Sequence, residues 1–273
     1  MSTKGEYNLQ NKEIIMKKFI AFSGGVESST MCVLFGGKAD AIFADTGFEH
    51  KEIYNRIGLI EDWCKSFHRP DFTIHRIKSK FGTLPERIRQ QSFYPSFNAR
   101  YCTREFKIEP IDDFLEQFKS EGVELMIGLN YDEIEKRTGN HGNKAFVNYK
   151  YPLAENKLTR EACISILKKV NLYPDFPAYM KRGGCIGCFY KSKKEYEAMA
   201  LLNPSEFKIV EDLETELQTI VNEGKEKRHR YYSILFNITM KEIREYAEAT
   251  LFKPEDVYAV VNDATKCGVF CNR

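Results

Sequence analysis

A chain of 273 residues with 42% hydrophobic and 13% aromatic side chains has material for one large α/β domain, or for one domain with a smaller appendage. Its formal net charge of +2 excludes a bulk electrostatic case for nucleic-acid binding and leaves only a local basic surface. No apolar stretch approaches the roughly 20 residues of a membrane helix, and the polar start lacks a signal peptide's apolar centre, so a cytoplasmic protein with no membrane partner is expected.

Residues 1–17 read as a flexible extension. Lys18-Phe19-Ile20-Ala21-Phe22 is a short apolar run ending in glycines, the signature of a buried strand. Helix-like spacing over 28–35 stops at Gly36-Gly37, and Ala41-Ile42-Phe43-Ala44 is a second buried strand ending at Asp45-Thr46-Gly47. An amphipathic helix over 52–67, a strand over 72–77, a helix over 111–119 and a strand over 124–128 follow. The alternation predicts an α/β fold, a Rossmann-like doubly wound parallel sheet with crossover helices. Ligands of such sheets gather beyond the carboxyl ends of the strands, where Ser23, Asp45, Thr46 and Gly128 fall. After Tyr151-Pro152-Leu153 the character changes. A helix over 159–170 with Thr159 as cap leads into a loop rich in proline, glycine and aromatics over 173–190. From Glu195 two or three charged amphipathic helices follow. The expected division is a nucleotide-binding α/β domain over 18–155 and a mainly helical region over 156–273.

Ser23-Gly24-Gly25-Val26-Glu27-Ser28-Ser29 lies between a buried strand and a helix. Backbone N–H groups converge there at the helix's positive end, which suits a phosphate. The glycines let the backbone approach the anion, and Ser23, Ser28 and Ser29 add hydroxyls. A plain strand-to-helix turn with a serine cap is the alternative. Neither Gly-Lys-Ser nor Gly-Lys-Thr occurs, so this is not the lysine-bearing phosphate loop.

The wording Ser-Gly-Gly-x-x-Ser resembles the PP-loop of the ATP pyrophosphatase superfamily, with Glu27 where aspartate is usual. Three further segments resemble the phosphoadenosine phosphosulfate (PAPS) reductase-like branch of it: Phe43-Ala44-Asp45-Thr46-Gly47-Phe48-Glu49, the stretch from Arg100-Tyr101-Cys102-Thr103-Arg104 to Lys107-Ile108-Glu109-Pro110, and Ile127-Gly128-Leu129-Asn130-Tyr131-Asp132-Glu133. The resemblance implies that an adenine nucleotide, ATP or else PAPS or APS as substrate, is bound with Mg²⁺ by Ser23, Gly24, Gly25, Glu27, Ser28, Ser29, Asp45, Thr46 and Gly128. Arg100, Arg104 and Lys107 have spacing that suits an anion grip, with Arg137 a further candidate and Arg104 and Lys107 also candidate catalytic groups. A solvated charged face is the alternative for them.

Eight cysteines exceed the needs of packing, and without a secretion signal metal or redox chemistry outranks disulfides. Cys32, Cys64 and Cys163 sit in apolar helical patterns and read as core. Cys185 and Cys188, spaced Cys-x-x-Cys among glycines, let two sulfurs face one metal. In iron–sulfur members of the resembled family, tandem cysteines and a Cys-x-x-Cys supply four ligands. Here Thr103 replaces one, leaving Cys102, Cys185 and Cys188. Either a [4Fe–4S] cluster keeps one open iron, or Cys267 or Cys271 completes a site for iron–sulfur or Zn²⁺. Cys267-Gly268-Val269-Phe270 faintly resembles the tail whose cysteine attacks sulfur in PAPS and APS reductases, which makes Cys267 a candidate nucleophile.

The resemblance implies an enzyme that activates its substrate by adenylylation with release of pyrophosphate and then delivers sulfur to a nucleic acid or a small molecule. DNA is a candidate, because DNA phosphorothioation proteins share a PP-loop with a cysteine cluster, and a sulfur-donor protein is a candidate partner. The alternatives are a thiol-dependent PAPS or APS reductase releasing sulfite, and a non-catalytic nucleotide- or nucleic-acid-binding subunit. A homodimer is a further expectation.

Overall fold

The computed structural model describes residues 16–137, 144–224, 233–235 and 237–250. Five strands, β1 (Lys17–Phe22), β2 (Asp40–Asp45), β3 (Ile74–Lys78), β4 (Val123–Met126) and β5 (Val147–Lys150), form one sheet in the order β3-β2-β1-β4-β5. Every pairing is parallel. The fold is therefore the Rossmann-like α/β architecture that the strand–helix alternation predicts. Chain order reverses between β1 and β4, which opens a crevice beyond their carboxyl ends.

Residues of β1 alternate between two cores because strand side chains have period two. Phe19 and Ala21 face one cluster with Ile111, Leu115, Val123 and Leu125, while Ile20 and Phe22 face the larger one. Four buried side chains in succession on β1 make it a central strand covered on both faces.

The helices are α1 (Val26–Phe35), α2 (Lys51–Phe67), α3 (Leu84–Gln91), α4 (Tyr101–Thr103), α5 (Glu109–Leu115), α6 (Ile134–Arg137), α7 (Pro152–Glu155), α8 (Arg160–Lys169), α9 (Lys193–Leu202), α10 (Pro204–Gly224) and α11 (Met240–Ala249). Helix α1 starts at Val26, two residues before the expected start, because Val26 is itself buried and Gly25 takes the extended cap position. The Thr159 hydroxyl accepts from the Ala162 N–H at 3.2 Å and caps α8 as expected. Strand β3 begins at Ile74, not Phe72. Phe72 is buried in a turn closed by its N–H on the Arg69 carbonyl.

Residues 101–118 form one unbroken helical run, longer than the expected helix over 111–119, with a π turn at Arg104–Ile108 between α4 and α5. Pro110 has no N–H to donate to the carbonyl four residues back. The Glu109 N–H bonds the Arg104 carbonyl, five residues back. Elements that the apolar pattern does not predict, α3 and β5, complete the α/β layer. Capping boxes Thr83–Glu86, Ser192–Glu195 and Thr239–Glu242 start α3, α9 and α11.

One large core runs from Ile20 and Met31 through Cys163 and Leu167 to Phe207, Leu213 and Ile243, so packing is continuous across the expected boundary at residue 155. Cys32, Cys64 and Cys163 lie fully buried in it, as their pattern implies. No helix among the described residues is long and apolar enough to cross a membrane.

Glu214 is a carboxylate inside the helical region. It accepts the Ile234 N–H at 2.8 Å and the Met240 N–H at 2.6 Å, and burial pushes its pKa up to about 7. Between the ordinary carboxylate range and that value the native state holds a proton the unfolded chain has released, so stability falls as pH rises. Glu214 is expected to contribute a loss of at most about 3 kcal/mol between pH 5 and pH 8. Thermal unfolding of wild type and Glu214→Gln across that range checks this, because the glutamine variant lacks the corresponding slope.

Candidate functional site

The phosphate-type loop is fixed by its own serines. The Ser23 N–H donates to Ser28 Oγ at 3.2 Å, the two hydroxyls lie 3.1 Å apart, and Ser28 Oγ donates to the Gly25 carbonyl at 3.3 Å. Gly24 turns the chain at a φ of +75°, which a side chain would resist. Ser29 faces the other way. It is fully buried and accepts from Arg56 Nε at 3.1 Å, so it anchors α1 to α2.

A cavity of about 430 Å³ opens from this loop across the carboxyl ends of β1, β2 and β4. Of the expected nucleotide-binding residues, Ser23, Gly25, Glu27, Ser28, Thr46 and Gly128 line it. Gly24, Ser29 and Asp45 are not among its lining residues. Asp45 instead accepts from the Gly47 N–H at 2.8 Å and from Tyr54 Oη at 2.7 Å, closing the turn after β2.

Glu27 is held inside a polar network. Arg160 Nη1 forms a short ion pair with its carboxylate, and Asn130 Nδ2 donates to the same oxygen at 3.2 Å. The Arg160 N–H in turn donates to Asp132 at 3.2 Å. Arg160 is a site-lining residue that sequence reasoning missed, since it lies 133 positions from Glu27 on the first turn of α8.

The opposite wall carries the cysteines. Cys102, Cys185 and Cys188 all line the cavity, with Thr103 beside them. Cys102, Thr103, Lys107 and Ile111 return to one face of the helical run across its π turn, so Lys107 sits among the thiols. Arg104 falls on the other side. It is 65% exposed and pairs with Glu105 at 2.9 Å and Glu109 at 3.5 Å, so the anion grip expected of it is not formed toward the cavity. Arg100 does line the cavity, with its guanidinium 5.5 Å from the Tyr190 ring centre and its Nε buried without a partner. Arg182 lies 5.6 Å from the same ring and donates to the Tyr190 carbonyl at 2.9 Å. Lys181 and Arg182 are further lining cations that the motifs did not mark.

Buried Glu49 joins the two walls. It accepts from Thr46 Oγ1 at 3.0 Å and from Cys185 Sγ at 3.4 Å. Burial raises the pKa of Cys102 and Cys185, so both thiols hold their protons more tightly than usual. For Lys107 burial acts downward, but Glu49 first, and then any thiolate form of the neighbouring cysteines, outweighs it and raises its pKa. The ammonium is thus firmly charged. The side chain of Arg137, together with Cys267 and Cys271, lies outside the described residues.

The cysteine loop reaches the phosphate loop by close backbone contact. A Cβ on Gly183 would stand 2.9 Å from Ile53 Cδ1, 3.6 Å from the Ser23 carbonyl and 3.7 Å from the Gly25 nitrogen. From the other side, a Cβ on Gly128 would meet the Glu27 carbonyl carbon and the Ser28 nitrogen at 3.3 Å.

No family model matches the chain. It is 25% identical over 124 residues to an uncharacterized protein of Methanocaldococcus jannaschii, a match covering 44% of this chain and 24% of that protein. The chain therefore spans about a quarter of the length of this curated relative. Among solved structures it overlaps with PAPS reductase from Candida auris in a phosphate complex, at a TM-score of 0.45 and 13% identity, over 58% of this chain and 75% of that one. An overlap of that quality fixes neither family nor activity.

Two glycine substitutions separate close approach from open space. Gly128→Ala forces a methyl against helix-start backbone that cannot swing aside, and is expected to cost about 1–2 kcal/mol. Gly58→Ala, within α2 and with nothing inside 4 Å of the added carbon, is expected to stabilise by about 0.5–1 kcal/mol through helix propensity. Denaturant unfolding of the two variants beside wild type checks both signs.

Proposed function

We propose that the cavity binds an adenine nucleotide with its phosphates on the Ser23–Ser28 loop, and that the protein is an ATP-consuming enzyme that adenylylates a substrate, releases pyrophosphate and passes sulfur to the activated product. The observation that supports this is the sharing of one cavity by the phosphate-type loop and by three cysteines with Lys107.

The chemistry follows from the lining. Loop N–H groups at the head of α1 and the Ser28 hydroxyl bind phosphate oxygens. Arg100, Lys107 and Arg182 supply positive charge from the facing wall, where charge accumulates as the bond between the α-phosphorus and pyrophosphate breaks. The acceptor's nucleophilic atom forms the new bond to the α-phosphorus, pyrophosphate leaves toward the loop, and AMP is the leaving group when sulfur arrives. Phe43 and Ala44 at the end of β2 offer apolar surface for the base. Glu27 is neutralised by Arg160, so Mg²⁺ enters as part of the nucleotide complex.

Soft thiols suit iron–sulfur or zinc, and three of them line the cavity. Cys102, Cys185 and Cys188 would hold a [4Fe–4S] cluster, with Zn²⁺ as the other choice, and the group would supply a sulfur-binding position beside the nucleotide. Lys107 stands among those thiols and orients an anionic sulfur donor or acceptor.

Anaerobically purified protein is expected to release pyrophosphate from ATP when given its acceptor, with nucleic acid and small-molecule pools tested separately. Ser28→Ala is expected to weaken ATP binding about ten-fold, one hydrogen bond's worth, by calorimetric titration. Lys107→Ala is expected to slow pyrophosphate release about 100-fold or more while leaving ATP binding within a few-fold. Sulfite release from PAPS or APS with a thiol reductant, in place of pyrophosphate release, overturns the adenylylation reading in favour of a reductase. Failure to bind any of these nucleotides overturns both.

A further inference from the structure

Outside the cavity, one cluster of buried donors has no part in the proposed chemistry. His50 caps the start of α2 and is fully buried. Its Nδ1 lies 2.5 Å from Glu206 Oε2, at the head of α10, and its Nε2 is buried with no hydrogen-bond partner. Glu52, two residues on, accepts from Tyr179 Oη at 2.8 Å through Oε1, while its Oε2 is buried without a partner. Glu206 Oε1 accepts the Lys51 N–H at 3.3 Å. One imidazole nitrogen and one carboxylate oxygen from each of Glu52 and Glu206 lie within 4.8 Å of one another.

The chemistry of the orphaned atoms points one way. When Nδ1 donates to Glu206, Nε2 carries a lone pair, and Glu52 Oε2 is also an acceptor. Two buried polar atoms without a partner are costly and leave the cluster incomplete. Buried Lys191 donates to the Tyr179 carbonyl at 2.8 Å, not to either carboxylate, so no side-chain cation of the described residues pairs with Glu52.

We propose that His50, Glu52 and Glu206 form a binding site for one divalent first-row cation, Zn²⁺ or Mn²⁺, separate from the cysteine cavity. One imidazole and two carboxylates are a donor set such ions accept. Donors bound at about 2.1 Å in a tetrahedral site stand about 3.4 Å apart, so an ion held by all three replaces the proton between Nδ1 and Glu206 Oε2 and widens that 2.5 Å contact. The ion would tie the start of α2, in the α/β layer, to the start of α10, in the helical region. His50 adjoins Glu49, which bonds Thr46 and Cys185, so the tie braces the segment beneath the cysteine loop.

The test uses Mn²⁺, which thiols hold poorly, added to the full chain without nucleotide and followed by loss of the free-ion paramagnetic resonance signal. About one equivalent is expected to bind in wild type and also in the triple variant Cys102→Ser, Cys185→Ser, Cys188→Ser. Glu52→Gln and Glu206→Gln, with folding checked by circular dichroism, are each expected to weaken binding at least ten-fold. Should the glutamine variants fail to fold, nitrogen hyperfine coupling in the wild-type Mn²⁺ complex decides, since the His50 imidazole must contribute one nitrogen. Absence of binding, absence of that coupling, unchanged affinity in both folded glutamine variants, or loss of binding in the cysteine variant overturns the proposal. None of these outcomes bears on nucleotide binding, so the two readings fail separately.

Discussion

The site depends on backbone pressed against backbone around the Ser23–Ser28 loop. Gly128 at the end of β4 and Gly183 before the cysteines approach that loop from two sides: a Cβ on Gly128 would crowd the loop backbone, and one on Gly183 would touch it and crowd the Ile53 side chain. Gly128 thereby seats the β4 end against the first turn of α1 and keeps the β1–β4 crevice narrow. Gly183 brings a segment from the carboxyl-terminal half onto the same loop, and Cys185 follows two residues later. Four segments far apart in the chain, around positions 23, 102, 128 and 185, share one cavity, and these two contacts join three of them.

Charge around the cavity is distributed by the same packing. Glu27 by itself would repel a phosphate bound two residues away, but Arg160 and Asn130 hold its carboxylate turned into a network. Arg100 and Arg182 flank the Tyr190 ring, which fixes two guanidinium groups without cancelling their charge.

The sheet was readable because buried parallel strands are short unbroken apolar runs, and both Ile20 within β1 and Ile42 within β2 sit in such runs. Strand β5 was not, because Val147-Asn148-Tyr149-Lys150 is an edge strand with one fully buried side chain and so carries little apolar signal. Helix α3 is short, and its evidence lies in the Thr83–Glu86 capping box, not in apolar periodicity. Ser23, Gly25, Ser28, Cys102, Cys185 and Cys188 were marked by local motifs, and all line the cavity. Arg160, Lys181 and Arg182 belong to no motif and reach the cavity through tertiary packing alone. Asp45, an acid at a strand's carboxyl end, accepts from Tyr54 and Gly47 and closes the turn there.

The π turn explains why two basic residues three positions apart have different fates. A regular helix through 101–118 would carry its contact face forward at 3.6 residues per turn. Inserting one residue at Arg104–Ile108 delays that face, so Cys102, Lys107 and Ile111 line up on the cavity while Arg104 turns out to Glu105 and Glu109. Lys107 then enters a setting where burial would favour losing its proton and the Glu49 and cysteine charges prevent it. The same ammonium pulls the thiols of Cys102 and Cys185 downward, although burial of each thiol prevails. Lys107 and the thiols therefore stabilise one another's charged forms: whatever draws the thiols toward thiolate also fixes the lysine as a cation. The π turn thus places Lys107 toward Glu49 and the three thiols while Arg104 faces solvent.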